Sequence, residues 1–200
     1  MPSSWLGLHG LKVRLGWVDN LQWAIPEIAT YFDAELDPRE RCSPDLDIEL
    51  CERGRIEGPT SEPTFYHGTV QGFIDGETHW LRDRGSWIQV DPRQGCLTGW
   101  IDRQAFDDPQ HFIHVFFFIA MVIAVRRKGL FHLHAAGVIS PQGTSLLVVG
   151  DSGSGKSTTA LALISAGWRF LSDDAVWLTE EGRYRRVFAV YRDFHVAKAT

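Results

Sequence analysis

The stretch SLLVVGDSGSGKSTTALALISAG, residues 145–167, narrows the folds open to this 200-residue chain more than any other. Within it, Gly150 to Ser157 fits the phosphate-binding pattern G-x-x-x-x-G-K-[ST]. The apolar run before the glycines reads as a buried strand, and the run after them as a helix closed by Gly167. That context predicts strand, loop and helix in succession, as an α/β core requires. Glycines let backbone N–H groups turn inward at a helix N-terminus, where the helix dipole also favours an anion. The candidate phosphate-binding residues are Gly150, Asp151, Ser152, Gly153, Ser154, Gly155, Lys156, Ser157 and Thr158. Lys156 is placed to reach the outer phosphates as a mobile charge, and the Ser157 hydroxyl to ligate a Mg²⁺ that bridges them.

Seventeen residues after Lys156 come Asp173 and Asp174, inside WRFLSDDAVWL. The apolar flanks predict one strand carrying both carboxylates, which would then point to opposite faces with at most one toward the phosphates. A carboxylate there can accept a proton from an attacking hydroxyl or hold Mg²⁺. Upstream, LFHLHAAGVIS reads as a strand on which His132 and His134 share a face.

The rest of the chain contains no comparable motif. A helix is predicted over 109–128, with Asp108 as cap, Pro109 in the first turn and Gly129 as terminator. It is apolar nearly all round, so it is expected to be a central element with sheets packed on either side. Residues 65–101 read as an antiparallel meander with DG, DRG and DPRQG turns, and its Trp80, Trp87 and Trp100 as core. DLDIELCE alternates acid with apolar residue, which predicts a strand with one greasy and one solvated acidic face. Pro26 to Asp33 reads as a short helix and DPRERCSPD as a long loop. Two regions follow: a β-rich α+β domain over 1–106 and a nucleotide-binding domain over 107–200.

A net charge of −5 and a pI near 5.9 argue against a general nucleic-acid binder. Cys42, Cys51 and Cys96 form no CxxC pair, which suits a reducing compartment, and the N-terminus lacks a secretory pattern. The longest apolar run, Phe112 to Val125, has 14 residues and is expected to be a buried helix rather than a membrane span. A cytoplasmic protein is the expectation. The only asparagine, Asn20, precedes Leu21, so the N-K-x-D motif of guanine-specific switches is missing, as is the signature of ABC-type ATPases.

From about His134 to Leu178 the chain resembles the catalytic module of the HPr kinase/phosphorylase family. The resemblance rests on His134 before the strand, GDSGSGKS, Gly167 at the helix end and SDD at this spacing. It implies a nucleotide-binding core of the HPr kinase/PEP carboxykinase-like type, following the β-rich region. It further implies an ATP- and Mg²⁺-dependent kinase that moves the γ-phosphate to a serine hydroxyl of a protein or peptide. Carried over, Lys156 holds phosphates, Ser157 binds Mg²⁺, Asp173 accepts the serine proton, His134 sits near the transferred phosphate, and Asp174 is a further metal ligand. The family commonly has acids where this chain has Thr158 and Trp177, so it resembles the broader group of relatives associated with peptide-modifying pathways, and HPr itself is not the expected acceptor. An ATP-binding partner module without phosphotransfer, or a kinase of a small molecule such as free serine, are the alternatives. Family members often form homo-oligomers, and their module continues past the aspartate strand, so the module is expected to be incomplete at its C-terminal end.

Overall fold

A computed structural model of the chain describes residues 2–37, 43–52, 54, 56–181 and 184–189. It is a mixed α/β protein with one large sheet and few helices, in two compact units, Met1–Lys128 and Gly129–Thr200. The division falls after the long helix rather than at 107, because that helix packs on the sheet of the first unit.

The first unit is built on nine strands in the order β3-β1-β2-β4-β9-β8-β7-β6-β5. Strands β1 (Ser3–Leu8) and β2 (Leu11–Trp17) form a hairpin, and β3 (Glu35–Asp37) flanks β1. The turn between them is His9-Gly10, with φ of 47° and 96°; positive φ at both positions is the geometry whose twist matches paired strands. Strand β4 (Leu46–Glu52) lies parallel to β2 and to β9 (Cys96–Ile101). The expected meander is present as β5 (Phe65–His67), β6 (Val70–Asp75), β7 (Thr78–Asp83), β8 (Ser86–Asp91) and β9. Helix α1 spans Ala24–Tyr31, two residues earlier than its proline suggests.

The alternation read in β4 appears as burial: Leu46, Ile48 and Leu50 are buried, while Asp47 and Glu49 face outward. Both acids pair with Arg14 of β2, at 2.6 and 2.9 Å. That face therefore neutralises a neighbouring strand, a role the alternation alone does not reveal. Trp87 and Phe73 are buried; Trp80 packs parallel to Trp100 and edge-on to Trp87. The DPRERCSPD loop lies mostly outside the described residues.

The predicted long helix runs from Pro109 to Arg126. It comprises a first turn α2 (Pro109–His111), a π-helical stretch Phe112–Phe117, and α3 (Phe118–Arg126). Asp108 caps it as expected, its carboxylate accepting the His111 N–H at 3.1 Å. At 18 residues it is long and apolar enough, by length and composition, to cross a membrane, so the 14-residue apolar run understates it. In this fold, α3 lies against β8 and β9, and the π stretch against α1. Phe112, Phe116, Phe117, Met121 and Val125 are buried there, each side chain contributing about 1.5–3 kcal/mol of burial free energy.

The second unit has two three-stranded antiparallel sheets. One has the order β10-β14-β15, from β10 (Leu130–His134), β14 (Ala175–Glu181) and β15 (Tyr184–Ala189). The other has the order β12-β11-β13, from β11 (Ala136–Ile139), β12 (Ser145–Val148) and β13 (Arg169–Ser172). Helix α4 (Lys156–Ser165) packs on the second sheet, where Ala136, Val138 and Ala160 form a core with Val148, Leu163, Ile164 and Trp168. It ends as its glycine predicts: Gly167, at φ +93°, donates to the Ile164 carbonyl, and Trp168 to the Leu163 carbonyl. These two bonds satisfy carbonyls that the helix end would otherwise leave open.

Two expectations of a single strand are overturned, that for LFHLHAAGVIS, which is β10 and β11 in different sheets, and that for WRFLSDDAVWL. WRFLSDDAVWL is not one strand; it is β13, a bend at Asp173-Asp174, and β14 in the other sheet. The buried Ser172 hydroxyl donates to the Ala175 carbonyl at 2.7 Å, bridging the bend. Strands β10 and β11 change sheet at the same level, at Ala135, whose N–H donates to the Asp174 carbonyl at 3.1 Å. Two chain segments thus cross from sheet to sheet side by side.

Candidate functional site

The crossing point and the glycine loop meet at one cavity of about 330 Å³, lined by His134, Ser152, Gly153, Lys156, Ser157, Asp173 and Asp174. Each residue arrives by a separate local cause. The loop leaves β12 at Gly150, where a Cβ would lie 2.6 Å from the Ser154 Oγ, so any larger residue would have to push the Ser154 side chain aside. Gly155 enters α4 at φ +90°, a conformation that side-chain-bearing residues rarely adopt. This geometry sets Lys156 and Ser157 at the first turn of the helix.

Lys156 is only 8% exposed, and its ammonium donates to the carbonyls of Gly150 at 2.9 Å and Asp151 at 3.0 Å. The cation therefore folds back over its own loop. A buried ammonium at the positive end of a helix is unfavourable unless acceptors surround it, and here two carbonyls supply part of that need.

Asp173 is 6% exposed, whereas the Asp174 side chain is 71% exposed. Both line the cavity, contrary to the opposite-face expectation, because the bend removes the strand alternation on which that expectation rests. Asp174 Oδ1 lies 3.0 Å from Nδ1 of His134, which sits at the end of β10 opposite Ala175. Behind this pair, His132 packs edge-on against the fully buried Trp177, with ring centroids 5.6 Å apart. Burial pushes the His132 imidazole below its ordinary value, His134 adds to that, and Asp174 acts against it.

Of the residues named from sequence, His134, Ser152, Gly153, Lys156, Ser157, Asp173 and Asp174 come together at the cavity. Gly150, Asp151, Ser154, Gly155 and Thr158 do not line it; Gly150 and Asp151 act through carbonyls that hold Lys156, and Thr158 is exposed on α4. Sequence reasoning missed Ser172, whose hydroxyl sets the bend, and the His132–Trp177 contact. The period-two spacing of His132 and His134 was the available signal for the second; nothing in the pattern marked the first.

The oxygen donors Ser157, Asp173 and Asp174 suit a small hard cation such as Mg²⁺, which is held through one or two carboxylates together with phosphate and water. Among the described residues, no cluster of three or more His, Cys, Asp or Glu is arranged as a self-sufficient metal cage. The loop glycines and Lys156 suit a phosphate chain, and the cavity volume lies at the small end of ligand sites. The chain matches no family model and no curated protein.

Proposed function

We propose that this protein binds ATP with Mg²⁺ through residues 150–158 and transfers the γ-phosphate to a serine hydroxyl of a protein or peptide. The observation that carries the reading is the shared cavity. Lys156 and Ser157 of the loop face the same space as Asp173, a buried carboxylate from a different element. Phosphoryl transfer asks little of a protein beyond positioning and charge neutralisation, which these groups can supply.

In this reading the Lys156 ammonium exchanges its loop carbonyls for phosphate oxygens and holds the chain in place. Ser157 and Asp174 would hold Mg²⁺, which when bound neutralises charge on the outer phosphates. Asp173 orients the acceptor hydroxyl and takes its proton as the new O–P bond forms and the bond from the γ-phosphorus to the bridging oxygen breaks, leaving ADP. His134, tethered by Asp174, stands beside the transferred group. The outer wall of the cavity is open, with the His134 side chain half exposed, which favours an acceptor presented from outside on a larger molecule over free serine.

The test is phosphorus NMR of the protein with ATP, Mg²⁺ and extract of its own cells, beside Asp173→Asn and Lys156→Ala. A phosphomonoester that Asp173→Asn fails to make, with ATP affinity retained, is the expected result. Lys156→Ala should weaken ATP binding by about 10- to 100-fold, the equivalent of losing one hydrogen bond to a charged group. Unchanged affinity in Lys156→Ala would refute the loop assignment, and ATP binding without any phosphoester would favour a partner module that does not transfer phosphate.

A further inference from the structure

Strand β7 ends in Asp83, a carboxylate whose side chain is only 4% exposed. One of its oxygens, Oδ2, lies 2.8 Å from Nε2 of His111, in the first turn of the long helix. The other, Oδ1, is buried and has no hydrogen-bond partner among the described residues. A buried acceptor left in that state bears its full desolvation penalty, which is largest for a charged group. A donor of some kind is therefore called for at this atom.

Across the hairpin, Asp83 is paired in register with Ser86 of β8, which is buried. The Ser86 Oγ accepts the Asp102 N–H at 2.9 Å. That bond uses a lone pair and leaves the hydroxyl proton to be placed. Asp83 Oδ1 does not take it, since that atom has no partner. Both side chains line a cavity of about 10 Å³, together with His111 and Asp108, and Phe112 and Phe116 wall it. A space of that size holds one water molecule. The other charges at the cavity are already engaged: Arg84 donates to Asp108 Oδ2 at 2.9 Å, and Asp108 Oδ1 accepts the His111 N–H at 3.1 Å.

We propose that this cavity is a binding site for one internal water, which donates to Asp83 Oδ1 and accepts from the Ser86 hydroxyl. The choice of water follows from the two needs taken together. One neighbour lacks a donor and the other has a proton to give, so the occupant must both donate and accept. An ammonium ion can only donate, and a metal ion would meet the hydroxyl proton with its own positive charge. Among the described residues, no group of three or more His, Cys, Asp or Glu is placed to hold a metal ion. With the water in place, an unbroken series of hydrogen bonds runs from His111 through Asp83, water and Ser86 to the Asp102 N–H. Asp102 in turn caps the short turn Arg103–Phe106 by accepting the Gln104 N–H. The water thus pins the start of the long helix to the β7–β8 hairpin and to the segment that leads into that helix. It belongs to the first unit alone, so the inference stands whether or not the protein transfers phosphate.

The experiment is oxygen-17 relaxation dispersion of the full chain in labelled water, which counts waters held longer than the molecule takes to tumble. Asp83→Leu removes the acceptor and fills the space, so the dispersion step should shrink by the equivalent of one water. An unchanged step overturns the inference. A high-resolution crystal structure of the unmodified chain gives a second reading that does not depend on the variant folding. It should show one density peak at about 2.7–3.0 Å from both Asp83 Oδ1 and Ser86 Oγ. A cavity without a peak, a direct bond from Ser86 to Asp83, or a side chain from elsewhere in the chain against Oδ1 overturns the proposal. So does a peak ringed by oxygens at about 2.3–2.6 Å, which would assign the site to a hard cation.

Discussion

Replacing Ser172 with alanine removes one oxygen atom from a fully buried position, and the consequences can be worked out from the bond its hydroxyl donates to the Ala175 carbonyl at 2.7 Å. The side-chain volume barely changes, so packing contributes little. The loss lies in the hydrogen bond and in leaving a carbonyl on a buried residue without that donor, together about 1–3 kcal/mol. At 1.4 kcal/mol per factor of ten, that is about a 5- to 140-fold shift toward unfolding. With a urea dependence of about 2 kcal/mol per molar, the midpoint of the second unit should fall by about 0.5–1.5 M. Pulsed hydrogen exchange of peptides from β10 and β14 reads that unit without interference from the first. On the proposed function, loosening of the bend should also weaken the hold on Asp173, so phosphoryl transfer should fall more than ATP affinity does. An unchanged midpoint would refute the claim that this hydroxyl sets the crossing between sheets.

Two further outcomes follow from the same geometry. Gly150→Ala brings a methyl group to 2.6 Å from the Ser154 Oγ, so it should weaken ATP binding by about tenfold or more, and adding Ser154→Gly should restore much of the loss; titration calorimetry of the single and double variants checks the coupling. The first unit should lose stability in acid. Burial holds His9, His79 and His114 below their ordinary value, so as pH falls beneath about 6.5 the unfolded chain takes up protons that the folded chain resists, while above that value all three are neutral in both states. Urea midpoints should therefore drop on going from about pH 7.5 to about pH 5.5, and His114→Gln should narrow the difference; a flat profile would show that these rings are not held neutral.

What could be read from sequence was whatever local chemistry dictates. Positive-φ turns wrote themselves as X-Gly pairs, β4 as alternation, the long helix as Asp-Pro at one end and Gly129 at the other, and the loop as glycines between a greasy strand and a helix. What escaped was set by contacts between distant segments. The break at Asp173-Asp174 is flanked by apolar residues on both sides, so hydropathy describes a continuous strand; only the partner strands β10 and β11, which change sheet at Ala135, decide otherwise. The π-helical stretch Phe112–Phe117 contains neither proline nor glycine to mark it. The partner of the long helix was also invisible locally, because an all-round apolar helix does not say which sheet it covers. Asp47 and Glu49 were legible as outward-facing, but Arg14, in the neighbouring strand, could be matched to them only once the parallel pairing was known.

The ammonium of Lys156, turned back onto the carbonyls of Gly150 and Asp151, gives the loop an occupant of its own. It acts as a spool around which the backbone is already wound before any ligand arrives. On the proposed function, an entering phosphate would exchange partners with a group already in place and would not have to order a slack chain, so little conformational freedom would be surrendered on capture. A grip of this kind is fast and indifferent to what hangs from the phosphate. On that function, discrimination among phosphate-bearing molecules would come from surfaces beyond the loop, and substitutions that alter ligand preference without altering grip should map there.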